Sequence, residues 1–305
     1  MRYLRLSLVA LALLLAPVSA LAWNYPAHMV IAHIAYSRLN PVAAARVDEL
    51  AGLLTYRDER YSRITIAAYM DDLRGDPFYD YLRPWHFYDR MFPEKAGDLP
   101  IEQPNLLTQT NAMIDLLKKG DQPPEEQAQY LAYLIHLVGD AHQPLHCANQ
   151  RSGAHPEGDA GGNVYFLRGE FRSLHSFWDA GGGLYRSKDI PRPLDGAGLE
   201  KIRGLAYDVV SANPPTKQDS QNLNAEAWLN ESFVIAEKFA YNTPAYGQPS
   251  QTYQKETQRI CRTRLAQAGY RLAAILNNIL TAPPAQKQPQ QQAPAQKVKK
   301  GVGKP

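Results

Sequence analysis

Two segments of the chain place histidine and aspartate where they could do chemistry together. In HLVGDAHQPLH, His136 and Asp140 are four residues apart, which on a helix sets imidazole and carboxylate one above the other on the same face. Pro144 then stops the helix, and His146 can turn back toward the same point. LHSFWD repeats the four-residue spacing with His175 and Asp179. Two such pairs suggest metal sites made of nitrogen and oxygen ligands, with zinc the leading candidate. One pair alone would more often be a hydrogen-bonded core histidine near a surface carboxylate. The company changes that balance: Asp71 in AAYMDDLR, His86 in PWHFYD, and Trp23 five residues before His28. Together these supply five histidines, three aspartates and, if the mature chain begins at Trp23, a terminal amine.

That last condition comes from the first 22 residues, which have a basic start, an apolar run from Leu6 to Leu15, a break at Pro17 and the small-residue pattern Ala20-Leu21-Ala22. They read as a secretory signal peptide, too short in its apolar part for a membrane anchor. No other run approaches membrane-spanning length, so the mature protein is expected to be soluble and either secreted or periplasmic. Two cysteines, Cys147 and Cys261, would then meet an oxidising compartment, where one disulfide is possible but not fixed by spacing. Residues 282–305 are built from Pro, Gln, Ala, Lys, Val and Gly and are expected to be a disordered tail.

The 305 residues carry a formal charge of +3. Seven of the basic residues lie in the two ends, where no acid accompanies them, so 23–281 holds 26 basic against 30 acidic groups, a net of −4. This excludes a nucleic-acid binder that works through a basic surface.

Helical patterns recur after the Asn40-Pro41 start, over 41–54, and near 62–73, 105–119, 125–141, 198–211, 222–241 and 250–280. The segment 161–169, GGNVYFLRG, reads as a short strand or hairpin between turns. The expected fold is mainly α, with one domain over 23–281. Asn230-Glu231-Ser232 is a glycosylation sequon, meaningful only in a eukaryotic source.

In order, the motifs resemble the S1/P1 nuclease family, the exported trinuclear zinc nucleases: a Trp followed five positions later by His, A-x-x-D-x-x-R, H-F-x-D, H-x3-D-x5-H and L-H-S-x-W-D. They run from Trp23 to Asp179, whereas 185–281 matches only as helical packing. The resemblance implies a zinc-dependent nuclease and phospholipase C-like helical fold holding three Zn2+. One zinc would be held by Asp71, His86, His136 and Asp140. The α-amine and carbonyl of Trp23, His28 and the other Asp140 oxygen would hold a second, and His146, His175 and Asp179 the third.

It further implies hydrolysis of single-stranded DNA and RNA to 5′-phosphorylated products, and removal of phosphate from 3′-phosphorylated nucleotides, by a protein expected to be a monomer. Asp71 would orient the attacking water and Arg74 would grip phosphate oxygens. Phe87 would stack on a base, whose edge Asp89 and Asn163 would read. Arg74 could otherwise be an ion-pair partner of Asp72 or Asp76, and Phe87 a core residue. Trp85 and Trp178 are expected to wall the site against water. His33, His142 and His155 are given no metal, with His142 a possible hydrogen-bond partner of a ligand.

Two rivals remain. A bacterial zinc phospholipase C shares the helical fold and the three-zinc arrangement, but its first histidine lies farther from the N-terminal Trp and its last acidic ligand is glutamate. A non-catalytic exported zinc-binding protein could use the same ligands, and would have no need of Arg74, Phe87 or Asp89.

Overall fold

The computed structural model describes residues 23–95 and 100–280. The expected signal peptide, 1–22, and the tail, 282–305, lie outside the described residues.

The first helix, α1 (Tyr25–Tyr36), starts where the Asn24 side chain accepts a hydrogen bond from the Ala27 amide, with Pro26 in the first turn. It is apolar on nearly every side and runs through the core, against α7 (Gly196–Ala212) and α10 (Gln251–Ile279). Helices α1 and α10 approach closely because Gly269 of α10 faces Ile34. A Cβ at Gly269 would stand 2.5 Å from Ile34 Cγ2. Around this pair lie α2 (Pro41–Ala51), α3 (Tyr69–Asp72), α4 (Leu106–Lys119), α5 (Pro124–Asp140), α6 (Leu174–Asp179), α8 (Lys217–Gln221) and α9 (Ala225–Ile235). Among the described residues no helix is long and apolar enough to cross a membrane.

The mainly helical expectation holds, with local departures. The 62–73 pattern is a 3-10 turn, Thr65–Ala68, followed by the single turn of α3. The 222–241 pattern is α9 continued by a π turn, Ala236–Ala240. The expected hairpin over 161–169 does not form; that stretch makes one isolated bridge, Phe166 to Ser173. Gly161 and Gly162, with φ of 62° and 81°, turn the backbone out of the extended region where that strand would begin.

The hairpin lies earlier, between β1 (Thr55–Tyr56) and β2 (Glu59–Arg60). Its two-residue turn, Arg57-Asp58, has positive φ at both positions, which suits the twist of flanking strands. Strands β3 (Arg90–Phe92) and β4 (Ala148–Gln150) pair in parallel. This ladder ties the chain after His86 to the chain after His146.

Cys147 and Cys261 are both buried and unbridged. Within the sequon Asn230 is exposed on α9, while the Ser232 hydroxyl is buried and donates to Ala141 O at 2.7 Å.

A candidate metal centre and its cleft

Six separate pieces of chain converge on one buried region. The first turn of α1 brings His28, α3 brings Asp71, the end of a 3-10 segment (Pro77–His86) brings His86, and the last two turns of α5 bring His136 and Asp140. A 3-10 turn (Pro144–His146) and α6 add His146, His175 and Asp179. The six-residue α6 is held at its start by a capping box between Ser173 and Ser176.

The ligand-type atoms fall into three groups: His28, His136 and Asp140; Asp71, His86 and His136; and His146, His175 and Asp179. His136 Nε2 is 3.4 Å from Asp140 Oδ2 and 3.8 Å from Asp71 Oδ1, and His86 Nδ1 is 3.0 Å from Asp140 Oδ2. The other Asp140 oxygen lies 3.4 Å from His28 Nε2. Asp140 thus stands between the first two groups, and the rings of His28 and His136 stack at 3.9 Å. In the third group His175 Nε2 is 3.4 Å from Asp179 Oδ2.

Hydrogen bonds set which nitrogen faces inward. Nδ1 of His136 donates to Ala67 O at 2.9 Å, Nδ1 of His146 to His86 O at 2.7 Å, and Nδ1 of His175 to Gly161 O at 2.7 Å. With Nδ1 engaged in this way, each ring turns its Nε2 into the site. The Nε2 atoms of His146 and His175 face one another at 3.2 Å, two lone pairs with no proton between neutral rings. Asp140 Oδ1 and Asp179 Oδ2 are buried without a hydrogen-bond donor. Opposed lone pairs and undonated carboxylate oxygens in one buried region are what a cation relieves. The donor set fits metal ions, and imidazole with carboxylate suits zinc.

The charges agree. Burial works against ionising Asp140, but the neighbouring His136 and His146 hold its carboxyl well below the usual range. Burial also opposes ionisation of Asp71, and Arg74 with the nearby histidines outweighs it, so that pKa is lowered. Asp179 is the exception: burial pushes it well above the ordinary value, against the pull of Gln143. Burial takes His28 down to about 4 and His86 to about 3, keeping both imidazoles neutral and able to donate a lone pair.

Trp23 is fully buried beside this region. Its indole N–H donates to Gly139 O at 2.9 Å, and the amide of Asn24 donates to Asp179 O at 3.2 Å. The start of the described chain is thereby pinned between the two helices that carry the His-Asp pairs.

A cleft of about 600 Å³ adjoins the second group and is lined by Arg74, His86, Phe87, Asp89 and Asn163 among others. Arg74 pairs with Asp71, Nε to Oδ1 at 3.0 Å. The alternative partners are taken elsewhere: Asp72 by Arg192 at 2.6 Å, Asp76 by the hydroxyl of Tyr56 at 3.1 Å. Phe87 is half-buried rather than core, its ring 5.3 Å from that of His146. Asp89 is exposed at the mouth, yet the surrounding protein and the carboxylates of Asp159 and Glu102 push its pKa up to about 6. Asn163 Nδ2 donates to Ala160 O at 2.8 Å, which ties it into its glycine-rich loop.

The expectation for the tryptophans is corrected: neither Trp85 nor Trp178 lines the cleft. Trp178 donates to Tyr253 OH at 2.9 Å in the core, and Trp85 packs on Tyr133. Hydrophobic area outweighed their sequence proximity to ligands. His33, His142 and His155 stay outside the three groups. His142 bonds Val138 O and accepts from Arg271 Nη1 at 2.9 Å, so it braces the end of α5 rather than a candidate ligand. Sequence reasoning missed Gln143, whose amide donates to Asp179 Oδ1 at 2.6 Å, and Gly139, which leaves room for His28. The only signal for either was its place between ligands, read there as part of a turn and a helix.

Fold and site together define a helical protein able to hold several metal ions beside a cleft furnished with an arginine and an aromatic ring. The chain belongs to the S1/P1 nuclease family, whose model matches residues 23–281. It is 24% identical over 286 residues to Endonuclease 4 of Arabidopsis thaliana, covering 87% of this chain and 91% of that protein. It is 24% identical over 292 residues to Nuclease S1 of Aspergillus oryzae, covering 86% and 93%. Endonuclease 5 of Arabidopsis thaliana is 30% identical over 162 residues, about half of each chain (50% and 52%). Family membership makes the protein a nuclease-type hydrolase.

Proposed function

We propose that the protein is an exported, monomeric, zinc-dependent endonuclease. In this reading it hydrolyses single-stranded DNA and RNA to 5′-phosphorylated products and removes phosphate from 3′-phosphorylated nucleotides. The observation that carries it is the convergence of imidazole nitrogens and carboxylate oxygens in three groups, with Asp140 Oδ1 and Asp179 Oδ2 lacking any donor, next to a cleft that presents Arg74. Asp71, His86, His136 and Asp140 would hold one zinc, Trp23, His28 and Asp140 a second, and His146, His175 and Asp179 a third. Zinc bound there polarises phosphoryl oxygens and lowers the pKa of water toward about 7.

The chain's own residues do the rest. Arg74 keeps its Nε on Asp71 and would turn its planar guanidinium to phosphate oxygens, a match that lysine lacks. Asp71, held ionised by that contact, accepts a hydrogen bond from the attacking water and orients it. Phe87 supplies a face for a base, and Asp89 and Asn163 lie in the same cleft to meet its edge. Stacking of this kind contributes about 1–3 kcal/mol per base and tolerates any base. It needs a base already out of a duplex, so single strands are cut faster. A free amine at Trp23 exists only after the first 22 residues are removed, so export and assembly of the site are coupled.

The test is metal counting by mass spectrometry on N-terminally verified protein, paired with product analysis on an oligonucleotide. Three zinc ions and 5′-phosphate ends are expected, and 3′-phosphate ends would overturn the mechanism. Arg74→Ala should lower kcat/KM about a hundredfold with the zinc count unchanged. A protein that only stores zinc would show no turnover to lose.

A further inference from the structure

The 3-10 segment Pro77–His86 ends in a metal-site histidine, but it carries a second pattern. With three residues per turn, side chains three apart line up. Leu82 is buried and Trp85 half-buried against the protein, while Asp80, Arg83 and His86 line the cleft. The remaining face is Phe78, Tyr81 and Pro84, and Phe87 continues the same interval. Phe78 is 76% exposed and Tyr81 53%, although large apolar side chains usually contribute by burial. Pro84 and Phe87 line the cleft, so the row leaves the cleft at Pro84 and runs outward to Tyr81 and Phe78. Each exposed ring is braced from the protein side: Tyr81 edge-on by Trp85 at 5.7 Å, and Phe78 edge-on by Tyr79 at 5.1 Å.

We propose that this row is a second stacking platform, on which Tyr81 and Phe78 hold bases of the same single strand beyond the one at Phe87. The proposal rests on the nuclease reading. Successive turns rise by about 6 Å, a step that an extended single strand can match. Arg83, which shares the adjoining face with Asp80, places a guanidinium beside the row, where a phosphate backbone would pass. A platform of rings without edge-reading groups binds strands of any sequence.

The test compares decathymidylate, long enough to reach the row, with dithymidylate, which spans only the cleft, using zinc-loaded enzyme. In Phe78→Ala and Tyr81→Ala, the long-to-short ratio of kcat/KM should fall by about fivefold to a hundredfold, through KM. Phe78→Tyr should restore it. An unchanged ratio overturns the platform alone. A ratio that falls only because a dimer dissociates, seen by sedimentation velocity, also overturns it in favour of a self-association surface. If the wild-type protein cleaves neither substrate, the nuclease reading fails first and the platform with it.

Discussion

Gly139 of α5 lies against the imidazole of His28: a Cβ there would stand 2.7 Å from His28 Nδ1. The glycine costs the helix about 1 kcal/mol relative to alanine, yet it lets α1 and α5 approach until His28 stacks on His136. Gly139→Ala should therefore push His28 out of its group, with about 1–3 kcal/mol lost to overpacking. Metal counting should show one zinc fewer and hydrolysis should drop sharply while helical circular dichroism is kept. Three retained ions would show that His28 is not needed for the second site.

Gln143 holds the one carboxylate of the site whose pKa burial raises well above normal. Replacing it by leucine removes the amide that favours the ionised form of Asp179. Zinc affinity, measured against a chromophoric chelator, should weaken by about 10–100-fold. The loss should grow as pH falls, because a carboxyl with a still higher pKa is protonated sooner.

Behind the site, Glu231 is shared by two nearly inaccessible arginines: Arg264 Nη1 at 2.6 Å and Arg271 Nη1 at 2.7 Å. Burial tends to raise its pKa, but the arginines prevail and hold it below the usual 4.5. A group with a depressed folded-state pKa adds stability above its unfolded value and loses it as pH falls through the folded one. Glu231→Gln should therefore cost about 3–5 kcal/mol at neutral pH by leaving the arginines uncompensated. Urea midpoints at fixed zinc should show the gap to wild type closing below pH 4.5.

The described body is acidic by sequence, and three zinc ions would add about +6 of charge at the cleft, so attraction for phosphate should reside in metal and Arg74. Titrating a chelator should abolish oligonucleotide binding. Titrating salt should give a shallow slope, about −0.7 per phosphate actually neutralised. A steep salt dependence that survives metal removal would point to a basic surface instead.

Much of the site was legible in the chain because its chemistry is local. His136 with Asp140, and His175 with Asp179, sit one helical turn apart, and helix geometry alone puts each pair on one face. The helical fold followed from periodicity and from caps such as Asn40-Pro41. The hairpin was misplaced because a short apolar run, VYFL between glycines, cannot reveal that Gly161 and Gly162 take positive φ, while the Arg57-Asp58 turn has no glycine to announce it.

What the sequence determined by itself was the inventory of candidate ligands and the two pairs set by helical spacing. Only the tertiary structure decided which pairs share a site, that Arg74 turns to Asp71 rather than Asp72 or Asp76, and that the tryptophans beside His86 and Asp179 do not line the cleft. It also decided that the cysteines stay apart and that Gln143 reaches Asp179. The reason is physical: spacing along a helix is fixed by backbone geometry within one element. Contacts between α1, α5 and α6 depend instead on how close their surfaces pack, and that turns on single side chains such as the missing one of Gly139.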